Sequence, residues 1–155
     1  MSSAAEIVAA LQQRHATLCT AESCTGGLVS AAITSVAGAS NVFLGGVTAY
    51  ANTAKIALLG VPESILEAHG AVSEETAAAM ASGARRAFRA DYAISVTGIA
   101  GPGGGTAEKP VGLVYIGAEG PARSVVRRCL FDGDRDSVRA QTVAAAFDLL
   151  KEVLD

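Results

Sequence analysis

The stretch Leu18-Cys19-Thr20-Ala21-Glu22-Ser23-Cys24-Thr25-Gly26-Gly27, continuing through Leu28 to Val36, decides how the rest of the chain is read. Leu18 to Ala21 suits a short buried strand, residues 22–27 combine hydroxyls with two glycines as a tight turn requires, and Leu28 to Val36 resumes a helical pattern. Strand, turn and helix in that order open an α/β fold. Upstream, residues 4–15 carry Ile7, Val8 and Leu11 at helical spacing, with His15 expected on the surface near the helix end. Downstream, Val42 to Ala51 reads as a strand interrupted by Gly45-Gly46, and Thr53 to Leu59 as a short helix. Val61-Pro62-Glu63 starts another, with Pro62 where no backbone donor is needed. Ser73 caps an Ala-rich helix reaching about Phe88, with Glu74 and Glu75 in its first turn; Thr76 departs from the full capping box.

Asp91 to Val96 is a strand and Thr97 to Pro110 a long turn-rich loop. Val111 to Ala118 and Ser124 to Leu130 read as antiparallel strands joined through Gly120-Pro121. Asp134 to Leu154 closes the chain as a helix with Val138, Thr142, Ala145, Leu149 and Val153 along one face. No linker and no repeat interrupts the pattern. The expectation is an α/β fold, a three-layer α/β/α sandwich around a mixed sheet, in one domain spanning 1–155.

Composition narrows the function. Half of the 155 residues are apolar, enough for a core without staples, while aromatic residues are few and Trp is absent. A stacking platform for single-stranded nucleic acid is thereby disfavoured. Net charge is −3 and the 12 Lys and Arg are dispersed, with short pairs only at Arg85-Arg86 and Arg127-Arg128, so no nucleic-acid partner is expected. Cys19, Cys24 and Cys129 are odd in number and lack CxxC spacing, as free thiols in a reducing compartment would be. The first residues carry no signal-peptide pattern and no apolar run reaches about 18 residues, so the expected location is cytoplasmic, without a membrane partner. Two His and three scattered Cys offer no soft-ligand metal site. A homodimer is the base-rate expectation for a soluble oligomer, and nothing in the sequence specifies one.

Four segments can carry chemistry. The Glu22 to Gly27 turn sets hydroxyls and backbone N–H groups at a helix start, where the dipole favours an oxyanion or phosphate. It is neither a Walker loop nor a Gly-x-Ser-x-Gly elbow, and a capping serine at a glycine-permitted turn explains it equally well. Tyr50-Ala51-Asn52-Thr53-Ala54-Lys55 sets a Tyr and a Lys where a strand ends, able to line the same crevice; a lone Lys on a short helix is ordinarily solvated. Thr97 to Gly105 is glycine-dense and follows a buried strand, so its backbone can approach a ligand and form an N–H nest, although it leads to Lys109-Pro110 and a strand rather than to the helix of a dinucleotide fingerprint. A flexible loop is the alternative. Arg135 and Arg139, four apart on the last helix, can grip a phosphate together, or else pair with Asp132, Asp134 and Asp136. His69 in Ala68-His69-Gly70 reads as an ordinary helix-end residue.

Taken together and in this order, several stretches resemble the nicotinamide mononucleotide deamidase family, also known as the C-terminal domain of CinA proteins. They are Thr20 to Gly27, Gly46 to Lys55, His69-Gly70-Ala71-Val72-Ser73, Thr97-Gly98-Ile99-Ala100-Gly101-Pro102, Lys109-Pro110-Val111-Gly112 and Gly133-Asp134-Arg135. The likeness spans nearly the whole chain and looks like that of a stand-alone member. It implies an amidohydrolase of pyridine nucleotide salvage, releasing ammonia from the carboxamide of nicotinamide mononucleotide to leave the nicotinate nucleotide. Ser23 would be the nucleophile and Lys55 and Tyr50 its proton-handling partners, since a serine hydroxyl needs a neighbouring base and Lys serves as one only when neutral. N–H groups around Thr25, Gly26 and Gly27 would stabilise the oxyanion. Asn52, Thr97, Gly98, Ala100 and Gly101 would hold the nucleotide, and Arg135 or Arg139 its phosphate. The chemistry implies no metal and no organic cofactor, and the partner is a small nucleotide substrate. The rival is a non-catalytic nucleotide-binding regulatory module built from the same segments.

Overall fold

The computed structural model describes residues 1–155. Its strands are β1 (Leu18–Glu22), β2 (Phe43–Thr48), β3 (Tyr92–Gly98), β4 (Leu113–Glu119) and β5 (Ser124–Leu130), and its helices are α1 (Ala4–Arg14), α2 (Leu28–Thr34), α3 (Asn52–Leu59), α4 (Glu63–His69), α5 (Glu74–Phe88) and α6 (Arg135–Leu154). The sheet order is β2-β1-β3-β4-β5. β1 pairs in parallel with both β2 and β3, whereas β3, β4 and β5 run antiparallel to one another.

Alternation along the central strands splits the interior in two. Leu18, Ile94 and Val96 face a core with α1, α2 and α6, including Ile7, Leu11, Ile33, Phe147 and Leu150. Cys19, Ala21 and Ala93 face a smaller core with α3, α4 and α5, built from Leu59, Leu66, Met80 and Ala84. This is the expected three-layer sandwich around a mixed sheet. Small residues on the α5 side let that helix lie close to the strands, and the Ser95 hydroxyl donates to the Ala77 carbonyl at 2.6 Å.

The element boundaries differ from the sequence reading where pairing or capping overrides local pattern. β2 is shorter than Val42 to Ala51, starting after a 3-10 turn at Ala39–Asn41 and ending before residues 49–51, which lead into α3. Gly46 sits inside β2 rather than breaking it: a Cβ there would collide with the Thr20 hydroxyl and lie 2.7 Å from that of Ser30, so glycine permits α2 to approach the strand. α2 stops at Thr34, before Val36. Pro62 is the N-cap of α4, where, as expected, no backbone donor is needed. Thr97 and Gly98, expected in the loop, belong to β3 because Tyr115 and Val114 pair with them, and β4 begins only at Leu113. On α6 the buried stripe runs through Ala146, Phe147 and Leu150 as well as Val138, Thr142, Leu149 and Val153, and Ala145 is only half-buried. His15 is exposed, as expected, and Ser73 accepts from Thr76 N at 3.2 Å as the cap of α5.

Candidate active site

Ser23 stands one residue beyond β1, at the end of the sheet where β1 and β3 finish. Its N–H donates to the Val96 carbonyl at 3.0 Å, and its carbonyl accepts from Gly26 N at 3.0 Å, so the turn is tied to β3 and closed upon itself. Glu22, 1 % exposed, folds its carboxylate under the turn. One oxygen accepts from Thr25 Oγ1 at 2.7 Å and Val29 N at 2.9 Å; the other accepts from Ser30 N and Ser30 Oγ, each at 3.0 Å. The early N–H groups of α2 are therefore satisfied by this carboxylate, which is why a buried acid is tolerated there. The N–H groups of Cys24, Thr25 and Gly27 donate to no acceptor in the chain.

Lys55 reaches the same point from the opposite layer. It lies in α3, is 1 % exposed, and its Nζ is 3.1 Å from Ser23 Oγ and 2.7 Å from the Tyr50 carbonyl. No carboxylate pairs with it. Burial holds its pKa below the ordinary value of 10.5, with the neighbouring Cys24 acting in the other direction. The solvated lysine of an isolated short helix is thus not what the fold makes of it. Cys24, next to Ser23, packs into the larger core, and burial pushes its thiol up to about 11. Ser23, not Cys24, therefore has the activated geometry.

The remaining residues divide into those gathered at Ser23 and those held elsewhere. Tyr50 is 61 % exposed and its phenol accepts from Arg135 Nη2 at 3.3 Å, so the part of Tyr50 that reaches Lys55 is its main-chain carbonyl. The expected proton-handling phenol is thus engaged with a cation instead. Arg135 also donates to the Gly101 carbonyl at 2.8 Å, linking the β2–α3 connection to the glycine-rich loop. Gly101 has φ +86 and a Cβ there would collide with Val111, so the close approach of the loop requires glycine. Arg139 donates through Nε to the Cys24 carbonyl at 3.1 Å and through Nη2 to the Thr25 carbonyl at 3.3 Å. Neither arginine pairs with Asp132, Asp134 or Asp136; Asp134 caps α6 by accepting from Ser137 N at 2.9 Å.

Thr97 is buried with its hydroxyl donated to the Ala71 carbonyl at 2.7 Å, on the α5 side of the sheet. Gly98 is half-buried in β3, and Ala100 and Gly101 are buried just beyond it. Asn52 opens α3 beside a shallow groove shared with Glu63 and Leu66, and makes no hydrogen bond to the Ser23–Lys55 pair. Segment 69–73 is explained as scaffold: the carbonyls of His69, Gly70 and Ala71 accept from Lys109 Nζ at 2.6 Å, Thr76 Oγ1 at 2.7 Å and Thr97 Oγ1. None of the four surface recesses is lined by Ser23 or Lys55. Glu22 is a buried anchor that the sequence marks only as an acid at the last position of an otherwise uncharged strand, directly before the glycine turn.

The family model for the CinA C-terminal domain matches residues 1–154. The chain belongs to that family. Its relatives include a CinA-like protein of Anaeromyxobacter dehalogenans, 51% identical over 148 residues, covering 96% of this chain and 36% of that protein. The chain spans about a third of the length of the curated relatives it matches. Among solved CinA-superfamily structures, competence/damage inducible protein CihA of Agrobacterium tumefaciens superposes with a TM-score of 0.96 at 42% identity, covering 98% of this chain and 93% of that one. A CinA superfamily protein of Klebsiella pneumoniae superposes with a TM-score of 0.94 at 36% identity, covering 97% and 94%. The five-stranded mixed sheet with six helices is thus the CinA C-terminal fold. No helix is long and apolar enough to cross a membrane.

Proposed function

We propose that this CinA-family chain is an amidohydrolase that converts nicotinamide mononucleotide to nicotinate mononucleotide and ammonia, with Ser23 as nucleophile and Lys55 as its general base. The observation that carries the reading is the buried amine of Lys55, 3.1 Å from Ser23 Oγ and without a carboxylate partner. Such a lysine is biased toward its neutral form, in which its lone pair can take the serine proton. Ser23 Oγ then bonds to the carboxamide carbon, and the carbonyl oxygen becomes an oxyanion directed at the free N–H groups of Cys24 and Thr25. As the C–N bond breaks, the Lys55 ammonium returns the proton to the leaving nitrogen, giving ammonia and an ester on Ser23. Water, deprotonated by Lys55, attacks the ester; Ser23 regains its proton and the carboxylate leaves.

Arg135 is the residue suited to the nucleotide phosphate, because it is exposed and its guanidinium bridges Tyr50 and the Gly101 loop. The pyridinium of the substrate adds a positive charge near Lys55 that further favours the neutral amine. A regulatory module that only binds the nucleotide has no use for an unpaired buried base beside a hydroxyl. Ammonia release from nicotinamide mononucleotide by the purified chain tests the reading, with Ser23→Ala and Lys55→Ala assayed alongside. Turnover by the parent that both variants lose while still binding nucleotide supports it; nucleotide binding by the parent without ammonia release favours the module.

A further inference from the structure

Arg139 looks at first like a second phosphate ligand, one helical turn beyond Arg135. Its hydrogen bonds point elsewhere. Both run to main-chain carbonyls of the Ser23 turn, Cys24 at 3.1 Å and Thr25 at 3.3 Å. Gly26, next in the turn, leaves only 3.6 Å between a notional Cβ and Arg139 Nη2, so the guanidinium lies against the turn backbone. From the other side Glu22 holds the Thr25 hydroxyl at 2.7 Å and the N–H groups of Val29 and Ser30 in α2.

Thr25 is therefore gripped at its side chain by an acid and at its carbonyl by a cation, and the Thr25 carbonyl also accepts from Leu28 N at 3.0 Å. Every polar group of Thr25 is committed except its N–H. The Cys24 carbonyl is committed to Arg139 as well, and the Cys24 N–H is free. A charged donor on the Cys24 carbonyl polarises the Cys24–Thr25 peptide and makes the Thr25 N–H a stronger donor. The positive charge of Arg139 also reaches this corner of the site, where it opposes the effect of burial on the Cys24 thiol.

We infer that Arg139 is a positioning residue: with Glu22 it clamps the Ser23 turn from two sides, so that the N–H groups of Cys24 and Thr25 stand fixed as the oxyanion site. It acts through the backbone and leaves the substrate phosphate to other groups. This rests on the Ser23 amidohydrolase reading and assigns a residue that the sequence pattern alone would give to the phosphate.

The test compares the parent with Arg139→Lys and Arg139→Met. Ammonia release is followed on nicotinamide mononucleotide and on nicotinamide riboside, which lacks the phosphate, and Tm is recorded for each protein. Separately, the rate at which a fluorophosphonate labels Ser23 is measured by mass spectrometry. In that reaction Ser23 Oγ bonds to phosphorus, the P–F bond breaks, fluoride leaves and the serine proton passes to Lys55, while the phosphoryl oxygen takes the oxyanion position.

The clamp predicts that Arg139→Met lowers kcat about 10- to 100-fold with KM changed less than about threefold, by the same factor on both substrates. Labelling slows in parallel, and Arg139→Lys, which can reach one carbonyl, falls between. A rise in KM confined to the phosphorylated substrate, with kcat retained, assigns Arg139 to the phosphate and overturns the clamp. If the parent releases no ammonia but labels at Ser23, and Arg139→Met slows that labelling, the substrate reading fails and the clamp stands. An unchanged labelling rate in both variants, or a parent that does not label, overturns it. Should Arg139→Met fail to fold, Arg139→Lys decides by the same readouts.

Discussion

Glu22 and Lys55 are both about 1 % exposed and lie on either side of Ser23, yet the fold treats them in opposite ways. Glu22 accepts four hydrogen bonds from N–H and O–H donors, and the Thr20 hydroxyl, 2.7 Å from Ser30 Oγ, extends the network. Lys55 has two neutral oxygens and no opposite charge. A buried charge with every valence satisfied stabilises a local structure, here the junction of turn and α2. One left underpartnered is destabilised in its charged form, and that bias is what a base requires. The contrast between the two regions separates scaffold from chemistry more sharply than burial alone does.

The largest effect should fall on the rate. Ser23→Ala is expected to lower ammonia release by about 10⁴-fold or more and Lys55→Met by about 10²–10⁴-fold, with the double variant little worse than Ser23→Ala, because the pair acts as one unit. Steady-state assays of the three proteins check this, and fully multiplicative losses would break the pairing. Glu22→Leu should act on stability instead, costing about 3 kcal/mol or more by orphaning its four donors. Lys55→Met should act with the opposite sign, raising stability by about 1–2 kcal/mol near neutral pH, or about 2–8 °C in Tm. Thermal melts of both variants in one buffer sharpen the comparison; a destabilised Lys55→Met would place Lys55 with the scaffold.

The pH dependence follows from the lowered pKa of Lys55, whose ordinary value is 10.5. The unfolded chain holds the lysine proton to higher pH than the fold does, so the burial penalty is full below the folded pKa and vanishes as pH rises through the unfolded one. The Tm advantage of Lys55→Met should therefore shrink between those two values, and kcat/KM of the parent should rise with pH along a limb centred below 10.5. Melts and rates over pH 6–10.5 read both. Tyr50→Phe is expected to change kcat less than about tenfold, because Lys55 uses the Tyr50 carbonyl and the phenol faces Arg135. A loss of 10²-fold or more in the same assay would return the phenol to the proton path. Smallest of all, Arg127→Ala should alter stability by no more than about 0.5–1 kcal/mol, since its 2.7 Å ion pair with Glu152 is largely solvated.

The layers were legible in the sequence because periodicity and punctuation agree along the chain: helical spacing of Ile7, Val8 and Leu11, the order of strand, turn and helix from Leu18 on, and the Ser73 cap all match what forms. What escaped was decided by partners distant in sequence. Thr97 and Gly98 join β3 because β4 pairs with them, and Gly46 stays in its strand because α2 needs the room. The same holds at the site. Ser23 and Lys55 stood out as residue types in suggestive segments, and only the fold sets them 3.1 Å apart. Thr97 looked like a ligand-loop hydroxyl until the Ala71 carbonyl claimed it, and Arg139 looked like a phosphate ligand until two turn carbonyls did. Side-chain identity is local, whereas the commitment of each donor and acceptor is a tertiary property.

The measurement that tests the central claim most directly is to quench the parent within its first turnovers of nicotinamide mononucleotide and map the protein by mass spectrometry. The account predicts a nicotinoyl-nucleotide ester on Ser23 that forms with ammonia release, decays with appearance of the nicotinate nucleotide, and is absent from Lys55→Met under the same conditions. Turnover at full rate with Ser23 unmodified, or an ester that forms equally well without Lys55, would contradict it.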